Sequence, residues 1–268
     1  MGRIRLLCVA GGIACAIAFA PVNAHAAPAP LNNLDDVPGR TSITFQHSPS
    51  GTRVGTANEG EARPALSISK LYIVDHALRH GDGSERDRML AERAIRFSDD
   101  GAAEELFGKY PNSISATAAE YGLTATGGGY WGSSTTSTAD TVTFLEAKKR
   151  TDPGSPLFGW MAAAGPVAAD GTNQNWGTST LPGVIGSKWG WSDFGPSSVA
   201  SASFGSDFSV AAQTHGTAAD QTADVQGAFG PEPTPPTPSP LALPQITPDE
   251  QGLRALIDYF GQVVPLPR

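Results

Sequence analysis

A serine and a lysine three positions apart, Ser67 and Lys70, are the residues of this sequence best placed to do chemistry. The apolar residues Leu71, Val74 and Leu78 recur at helical spacing and predict a helix that begins at Ser67. Side chains at positions i and i+3 share one helix face, so the Lys70 amine can reach the Ser67 hydroxyl. A lysine whose pKa is lowered by burial can remove the proton of a serine and make it a nucleophile. The spacing of Ser67 and Lys70 therefore predicts a nucleophile and its base.

Two further short motifs follow in chain order. Ser98-Asp99-Asp100 lies at a predicted junction between two helices, and Lys188-Trp189-Gly190 lies in the first of three predicted strands. Taken singly, each motif fits a structural role, because serine commonly caps helices and a strand lysine commonly faces solvent. Their occurrence together, in this order, is what points to a function.

The three motifs together resemble the S-x-x-K, S-D-N and K-T-G signatures of the penicillin-recognising serine hydrolases. This superfamily contains the serine β-lactamases and the D-alanyl-D-alanine peptidases. The resemblance covers roughly residues 41–216, and the stretch 98–104 is similar to the one that follows the second motif in the family. The sequence is identified as a divergent member of this superfamily.

The resemblance implies a role for each matching residue. Ser67 would be the acylated nucleophile, and Lys70 would be its base. Ser98 would relay a proton to the leaving group, while Lys188 would maintain the electrostatics of the cleft and hold a substrate carboxylate. The backbone N–H groups of Ser67 and Trp191 would form the oxyanion hole. The implied partner is a peptidoglycan stem peptide or a β-lactam-like small molecule, and no cofactor is implied.

Three residues expected at the substrate are Asp100, Trp189 and Gly190, and two of them depart from the family pattern. Asp100 replaces the usual asparagine, and Trp189 replaces a small hydroxyl residue and is expected to narrow the cleft. The serines of the first two motifs are only 31 positions apart, so the helical lobe is expected to be short.

No E-x-x-L-N segment follows the second motif, and Glu146, on a lysine-rich helix, is a poor substitute for a deacylating glutamate. The sequence therefore does not predict efficient β-lactam hydrolysis. The first hypothesis is a secreted serine hydrolase that acts through an acyl-serine on cell-wall peptides or related amides and esters. The alternative is a catalytically blunted module on the same fold that binds peptidoglycan or a cell-envelope partner.

The elements that must position these residues follow from hydrophobic periodicity and turn residues. A strand at 41–47 and a returning strand at 52–57 precede a helical block, and three strands at 184–191, 197–204 and 208–214 follow as an antiparallel meander. The helices of the block are predicted at 67–81, 84–98, 102–107, 113–121, 139–149 and 156–164. The order predicts an α+β fold, in which an antiparallel sheet is flanked by helices and carries an inserted, shortened all-helical lobe.

The two ends of the chain have a different character. Arg3 and Arg5 precede an apolar run, and Ala24-His25-Ala26 offers a cleavage site, so residues 1–26 are predicted to be a secretory signal peptide. Residues 27–40 are predicted to be an extended lead-in to a domain at 41–230. A proline-rich linker is predicted at 231–246, and a helix at 247–268 that docks on the domain. The protein is expected to be secreted, with cleavage near Ala26.

Composition excludes several functions. The chain has 268 residues, 40% hydrophobic and 16% charged, with a net charge of −8 and only five lysines, which argues against a nucleic-acid partner. The apolar run at the start is too short for a comfortable transmembrane anchor. His76 and His80 have a spacing compatible with a metal but lack a third ligand, so no metal site is predicted. The sequence indicates no oligomeric state.

Overall fold

The chain is described here by a computed structural model, which covers residues 27–195 and 197–230. Within these residues, short 3-10 turns connect several of the helices and strands. The elements, in chain order, are β1 (Ala29–Pro30), β2 (Thr41–His47), β3 (Arg53–Gly55), β4 (Arg63–Pro64), α1 (Ser69–His80), α2 (Glu85–Arg96), α3 (Asp100–Lys109), α4 (Ser113–Tyr121), β5 (Thr135–Thr136), α5 (Thr138–Thr151), α6 (Pro156–Ala162), β6 (Gly186–Trp191), β7 (Ser198–Phe204), β8 (Phe208–His215), α7 (Ala218–Ala228) and β9 (Phe229–Gly230).

The main sheet has five antiparallel strands in the order β3-β2-β8-β7-β6. The strands β6, β7 and β8 are consecutive in the chain and form the predicted meander, because tight Gly- and Asp-containing turns allow neighbouring strands to pair antiparallel. Helices α1 to α6 lie in the chain between the first two strands of this sheet and the last three. The predicted α+β fold with an inserted helical lobe is therefore confirmed.

The sheet is buried on both faces, and alternate residues of its strands belong to different cores. Ala200 and Ala202 of β7 pack with the helical lobe, where α1 supplies Leu71 and Ile73 to the same core. Val210 of β8 packs instead with a second core that contains residues of α7. Successive strand side chains point to opposite faces, so one strand can serve both layers.

Helix ends follow from local side-chain chemistry. Ser84 caps α2 by accepting a hydrogen bond from the backbone N–H of Asp87. Asp99 caps α3 in the same way through the N–H of Ala102. Gly122 ends α4 with a φ of 68°, a left-handed conformation that glycine adopts without strain. The Asp99 cap lies within the second motif and fixes the start of α3 there.

Helix α7 is a feature that the sequence analysis did not predict. It begins with a capping box in which Thr217 and Asp220 bond reciprocally, a signal that is present in the sequence. Its buried face includes the polar residues Gln221 and Asp224, which weakens the apolar periodicity that the helix prediction depends on. The helix packs against β8 and β2.

Residues 27–40, expected as an extended lead-in, contact the rest of the described chain. The strand β1 pairs with β9, and Leu34 is buried in the core that also contains Phe208 and Val225. Three of the predicted segments, the signal peptide at 1–26, the linker at 231–246 and the helix at 247–268, lie outside the described residues. No helix in the described part of the chain is long and apolar enough to cross a membrane.

Candidate active site

The side chains of Ser67, Lys70, Ser98 and Lys188 meet in one hydrogen-bonded group. The Lys70 ammonium donates to Ser67 Oγ at 2.9 Å and to Ser98 Oγ at 3.3 Å. The Lys188 ammonium donates to the same Ser98 Oγ at 2.7 Å. Ser98 therefore joins a lysine of the helical lobe to a lysine of the sheet, and the structure brings together the four side chains that the sequence predicted.

Ser67 lies in a 3-10 turn that leads directly into α1. Its backbone N–H is in the first turn of the helix, where N–H groups lack partners within the helix. The preceding residue, Leu66, has a φ of 52°, which is a strained conformation for a residue with a branched side chain. The turn also abuts strand β6, because a Cβ atom placed on Gly190 would lie 2.7 Å from the Ser67 nitrogen. Glycine at 190 thus lets β6 approach the serine.

Ser98 has a φ of 51° and connects α2 to α3. This second strained residue directs both its carbonyl oxygen and its hydroxyl toward Lys70, whose ammonium donates to the carbonyl at 2.6 Å. Non-glycine residues with positive φ are uncommon and concentrate at functional sites. One such residue contacts Lys70 and another, Leu66, directly precedes Ser67, a structural sign of function that no sequence motif displays.

Both site lysines are fully shielded from solvent. Burial lowers the pKa of Lys188 well below its usual value, and the nearby Lys70 lowers it further. Burial also lowers the pKa of Lys70, against the opposing effect of Asp100, whose carboxylate accepts a hydrogen bond from Lys70 Nζ at 2.5 Å. A depressed lysine pKa is the condition under which the amine can act as a base at neutral pH.

Asp100 occupies the first turn of α3 and lines a cleft in front of Ser67. Its side chain remains 64% exposed although it is paired with the buried Lys70. The S-D-N signature has an asparagine amide at this position. The Asp100 carboxylate that replaces it here stabilises the protonated form of Lys70, the candidate base.

The backbone of Trp191 is oriented as the oxyanion-hole prediction requires. Strand β6 is at the edge of the sheet, and the next residue, Ser192, donates its N–H to Ser198 of the neighbouring strand. Backbone N–H groups alternate in direction along an antiparallel strand, so the N–H of Trp191 points to the open side of β6. Trp191 also lines the cleft that contains Ser67.

The side chain of Trp189 lies away from the cleft, which corrects the expectation that it narrows the site. Its indole packs with Trp176 and Val199 and donates to the carbonyl of Trp176 at 2.9 Å. Side chains alternate across a strand, so with Lys188 facing Ser98 the neighbouring residue must face the other side of the sheet. Residue 189 therefore touches this site only through its backbone, whose carbonyl accepts a hydrogen bond from Lys188 at 3.0 Å.

The cleft has a volume of about 520 Å³, and several of its walls were not predicted from the sequence. Trp131 lies over Lys70, with the ammonium 5.2 Å from the ring centre, and its Nε1 donates to Glu104. Asp193 and Phe194 lie on the β6–β7 turn at the opposite rim. The cleft lining comprises Pro64, Leu66, Ser67, Asp100, Trp131, Gly132, Ser133, Ser134, Thr135, Trp191, Ser192, Asp193, Phe194 and Ser198.

Glu146 does not contribute to the cleft. Its carboxylate accepts hydrogen bonds from Ser48 and Lys149, and none of these three residues is among the cleft-lining residues given above. No group of three or more His, Cys, Asp or Glu side chains that fits a metal ion occurs within residues 27–195 and 197–230.

Comparison with known proteins gives structural neighbours but no sequence relatives. An ancestral (GNCA) class A β-lactamase aligns with a TM-score of 0.55 and 18% identity over 72% of this chain and 92% of its own. Penicillin-binding protein D2 from Listeria monocytogenes, in its ampicillin-bound form, aligns with a TM-score of 0.53 and 16% identity over 70% and 94%. A penicillin-binding protein homologue from Mycobacterium tuberculosis aligns with a TM-score of 0.51 and 20% identity, over 77% of this chain and 98% of its own. No protein-family model and no curated protein matches the sequence.

Proposed function

We propose that this chain, which has the fold of the penicillin-recognising serine hydrolases, is an exported serine hydrolase that forms an acyl ester on Ser67. The observation that carries the proposal is the contact of 2.9 Å between Lys70 Nζ and Ser67 Oγ inside a network that also holds Ser98 and Lys188. Export is supported by the leader-like sequence at 1–26. The substrate is an amide or ester of the cell envelope.

The first chemical step is the attack of Ser67 on the substrate carbonyl. Neutral Lys70 accepts the proton of the Ser67 hydroxyl while Oγ forms a bond to the carbonyl carbon. The carbonyl π electrons move to oxygen and give a tetrahedral oxyanion. In this proposal the N–H groups of Ser67 and Trp191 donate to that oxyanion, and such donors stabilise the transition state.

The second step is departure of the leaving amine or alcohol. The bond between carbon and the leaving group breaks, the carbonyl re-forms, and the leaving group takes a proton from the Ser98 hydroxyl. Ser98 regains a proton from the lysines that contact its oxygen, Lys70 and Lys188. The product is an acyl ester on Ser67 and the free leaving group.

Release of the acyl group is proposed to be slow. Water or another nucleophile must attack the ester on Ser67, and this attack needs a base. Among the described residues that line the cleft, the carboxylates are Asp100 and Asp193, and Asp100 is engaged by Lys70. The acyl-enzyme should therefore accumulate.

Covalent labelling tests the proposal. The folded protein is incubated with a fluorophosphonate that carries an uncharged reporter, and separately with a fluorescent penicillin, because a neighbour of the same fold is known in an ampicillin-bound form. We expect one adduct by intact mass, mapped to Ser67 and absent in Ser67→Ala. The matched control is Ser133→Ala, which removes another cleft hydroxyl and should keep the label. If neither probe labels Ser67 in protein with a native circular dichroism spectrum, the proposal is wrong.

A second candidate function is favoured by one observation, the 2.5 Å contact between Lys70 and Asp100. A carboxylate this close stabilises the ammonium form of Lys70, which cannot accept a proton. In that case the chain is a binding module for peptidoglycan or a cell-envelope partner. Muropeptide binding by the wild type, with no Ser67 label, supports the module; a label on Ser67 supports the enzyme.

A further inference from the structure

The charge presented by the cleft is negative. Among the described residues that line it, the charged side chains are Asp100, from the helical lobe, and Asp193, from the turn after β6. A third carboxylate, that of Asp170, lies beside the cleft and accepts a hydrogen bond from Trp191 Nε1 at 3.0 Å. No arginine or lysine is among these lining residues.

The two site lysines offset this charge only in part, because Lys70 pairs with Asp100 while the ammonium of Lys188 faces inward. Lys188 donates to Ser98 Oγ and to the carbonyl of Trp189, and it is fully buried. Lys70 is equally buried, and its contacts are with Ser67, Ser98 and the Asp100 carboxylate. Burial lowers the pKa of both amines, so they carry less positive charge than two exposed lysines would.

Aromatic rings accompany the carboxylates at the mouth of the cleft. Trp131 forms part of one wall, and Phe194 is 92% exposed at the rim next to Asp193. A cation over an aromatic face is attracted to the ring, and rings combined with carboxylates are the usual means of recognising alkylammonium groups. Trp131 already contacts an ammonium in this way, that of Lys70.

We propose that the substrate acylating Ser67 carries a cationic alkylammonium group, held between Asp193 and Phe194 at the rim, and that the cleft disfavours a substrate carboxylate. This inference rests on the proposed function, whose site it specifies further. It replaces the expectation, drawn from the family resemblance, that Lys188 binds a substrate carboxylate. The buried position of Lys188 against Ser98 leaves it a role in proton transfer instead.

Three esters of equal chain length test the charge preference in the full mature protein. They are the p-nitrophenyl esters of pentanoic acid, of glutaric acid with one free carboxylate, and of 5-(trimethylammonio)pentanoic acid. The measurement is the second-order rate constant for acylation, taken from the release of p-nitrophenol and divided by the rate of hydroxide hydrolysis of the same ester. We expect the cationic ester to exceed the anionic one by about ten-fold at low salt, with the neutral ester between them and the ratio falling as salt is added.

A variant that removes one rim carboxylate tests whether the rim causes the preference for the cationic ester. Asp193→Asn should reduce the ratio of cationic to anionic rate constants by about three-fold, since it removes one nearby charge while preserving shape. The matched control is Asp35→Asn, an exposed carboxylate that does not line the cleft, and it should leave the ratio unchanged. Equal rate constants for the three esters, or a faster anionic ester, would overturn the inference and leave the proposed acylation intact.

A non-covalent measurement judges the inference separately from acylation. Ser67→Ala is titrated with phenethyltrimethylammonium and with 3-phenylpropanoate, and binding is followed by isothermal titration calorimetry. Tighter binding of the ammonium supports the inference even if the wild type shows no acylation, in which case only the proposed function fails. Tighter binding of the carboxylate, or no binding of either, contradicts the inference.

Discussion

At the scale of single residues, the site is a set of polar groups whose burial opposes stability. Two amines, those of Lys70 and Lys188, contact one hydroxyl, that of Ser98, with no access to solvent. An ammonium is costly to bury unless it is well paired, and only Lys70 has a carboxylate partner. Lysines whose pKa is strongly shifted, and which lie at a cleft, are typical of catalytic sites. At such sites an arrangement that lowers stability is kept because it raises reactivity.

Replacing Asp100 with asparagine should shift the pH dependence of acylation. The Asp100 carboxylate raises the pKa of Lys70 against the effect of burial, so its removal lowers that pKa. Acylation needs neutral Lys70 and therefore rises with pH as Lys70 loses its proton. In Asp100→Asn this rise should move to lower pH. The profile is measured with the neutral ester, and an unmoved profile would show that Asp100 does not control Lys70.

Replacing Lys188 with methionine should stabilise the fold and abolish fast acylation. Burial lowers the pKa of Lys188, so the unfolded chain binds a proton that the folded chain excludes. Because raising the pH removes that proton from the unfolded chain, the stability of the wild type rises with pH up to the ordinary lysine pKa. Methionine removes this dependence. We expect a gain of about 1–3 kcal/mol in the free energy of unfolding at pH 7, shrinking toward pH 10.

Urea denaturation of both proteins at pH 7 and at pH 9.5 measures this gain. Lys109→Met is the control, because Lys109 is an exposed lysine paired with Asp82 and Asp87 and should give no such gain. A loss of stability in Lys188→Met that is equal at both pH values would mean that the Lys188 hydrogen bonds outweigh its burial.

At the scale of elements, the site depends on three junctions that meet. The turn before α1 supplies Ser67, the α2–α3 junction supplies Ser98 and Asp100, and the edge strand β6 supplies Lys188 and the N–H of Trp191. The closest approach is between β6 and the turn before α1, where Gly190 leaves room for the Ser67 backbone. The relative position of these two backbones sets the geometry of the nucleophile and of the oxyanion hole.

Gly190→Ala should therefore impair acylation without unfolding the chain. Its Cβ would lie 2.7 Å from the Ser67 nitrogen and 2.8 Å from Leu66 Cβ, which forces the two backbones apart. A displacement of about 1 Å at a reacting group can reduce the rate about 100-fold. Labelling of Ser67 by the fluorophosphonate measures the effect. Gly154→Ala, whose Cβ would meet nothing within 4 Å, is the control and should label at the wild-type rate.

At the scale of the whole molecule, the cleft lies where the helical lobe meets the edge of the sheet. The lobe contributes Lys70 and Ser98, and the sheet contributes Lys188, so the active group forms only when both layers are packed. The two cysteines of the chain, Cys8 and Cys15, both lie in the leader-like segment. No disulfide can therefore form within residues 27–268, and these layers are held together without one.

Export should remove the segment that contains both cysteines. When the full chain is expressed in a bacterium that secretes proteins, we expect the intact mass of the exported protein to match a chain beginning at Ala27, because Ala24 and Ala26 place small residues at the cleavage site. Replacing both alanines with leucine should block cleavage. Recovery of the uncleaved mass from the wild type would contradict the leader prediction.

Much of the fold could be predicted from the sequence because its signals are local. Helix α4 occupies 113–121 as predicted, since a glycine with positive φ ends it, and the strands β6 to β8 lie within two residues of their predicted bounds. Helix α7 was missed because its buried face includes Gln221 and Asp224, so its apolar residues give no clear period. The rim residues Asp193 and Phe194 lie in a turn, where periodicity carries no information.

The sequence by itself determined the order of the elements and the three motifs that name Ser67, Lys70, Ser98 and Lys188. These depend on spacing along the chain, which sets the face of a helix or strand on which each side chain lies. Only the tertiary structure decided the pairing of Lys70 with Asp100, the turning away of the Trp189 indole and the negative charge of the cleft. A pKa and a cleft charge depend on distances between groups from remote parts of the chain, and those distances exist only once the lobe and the sheet have packed.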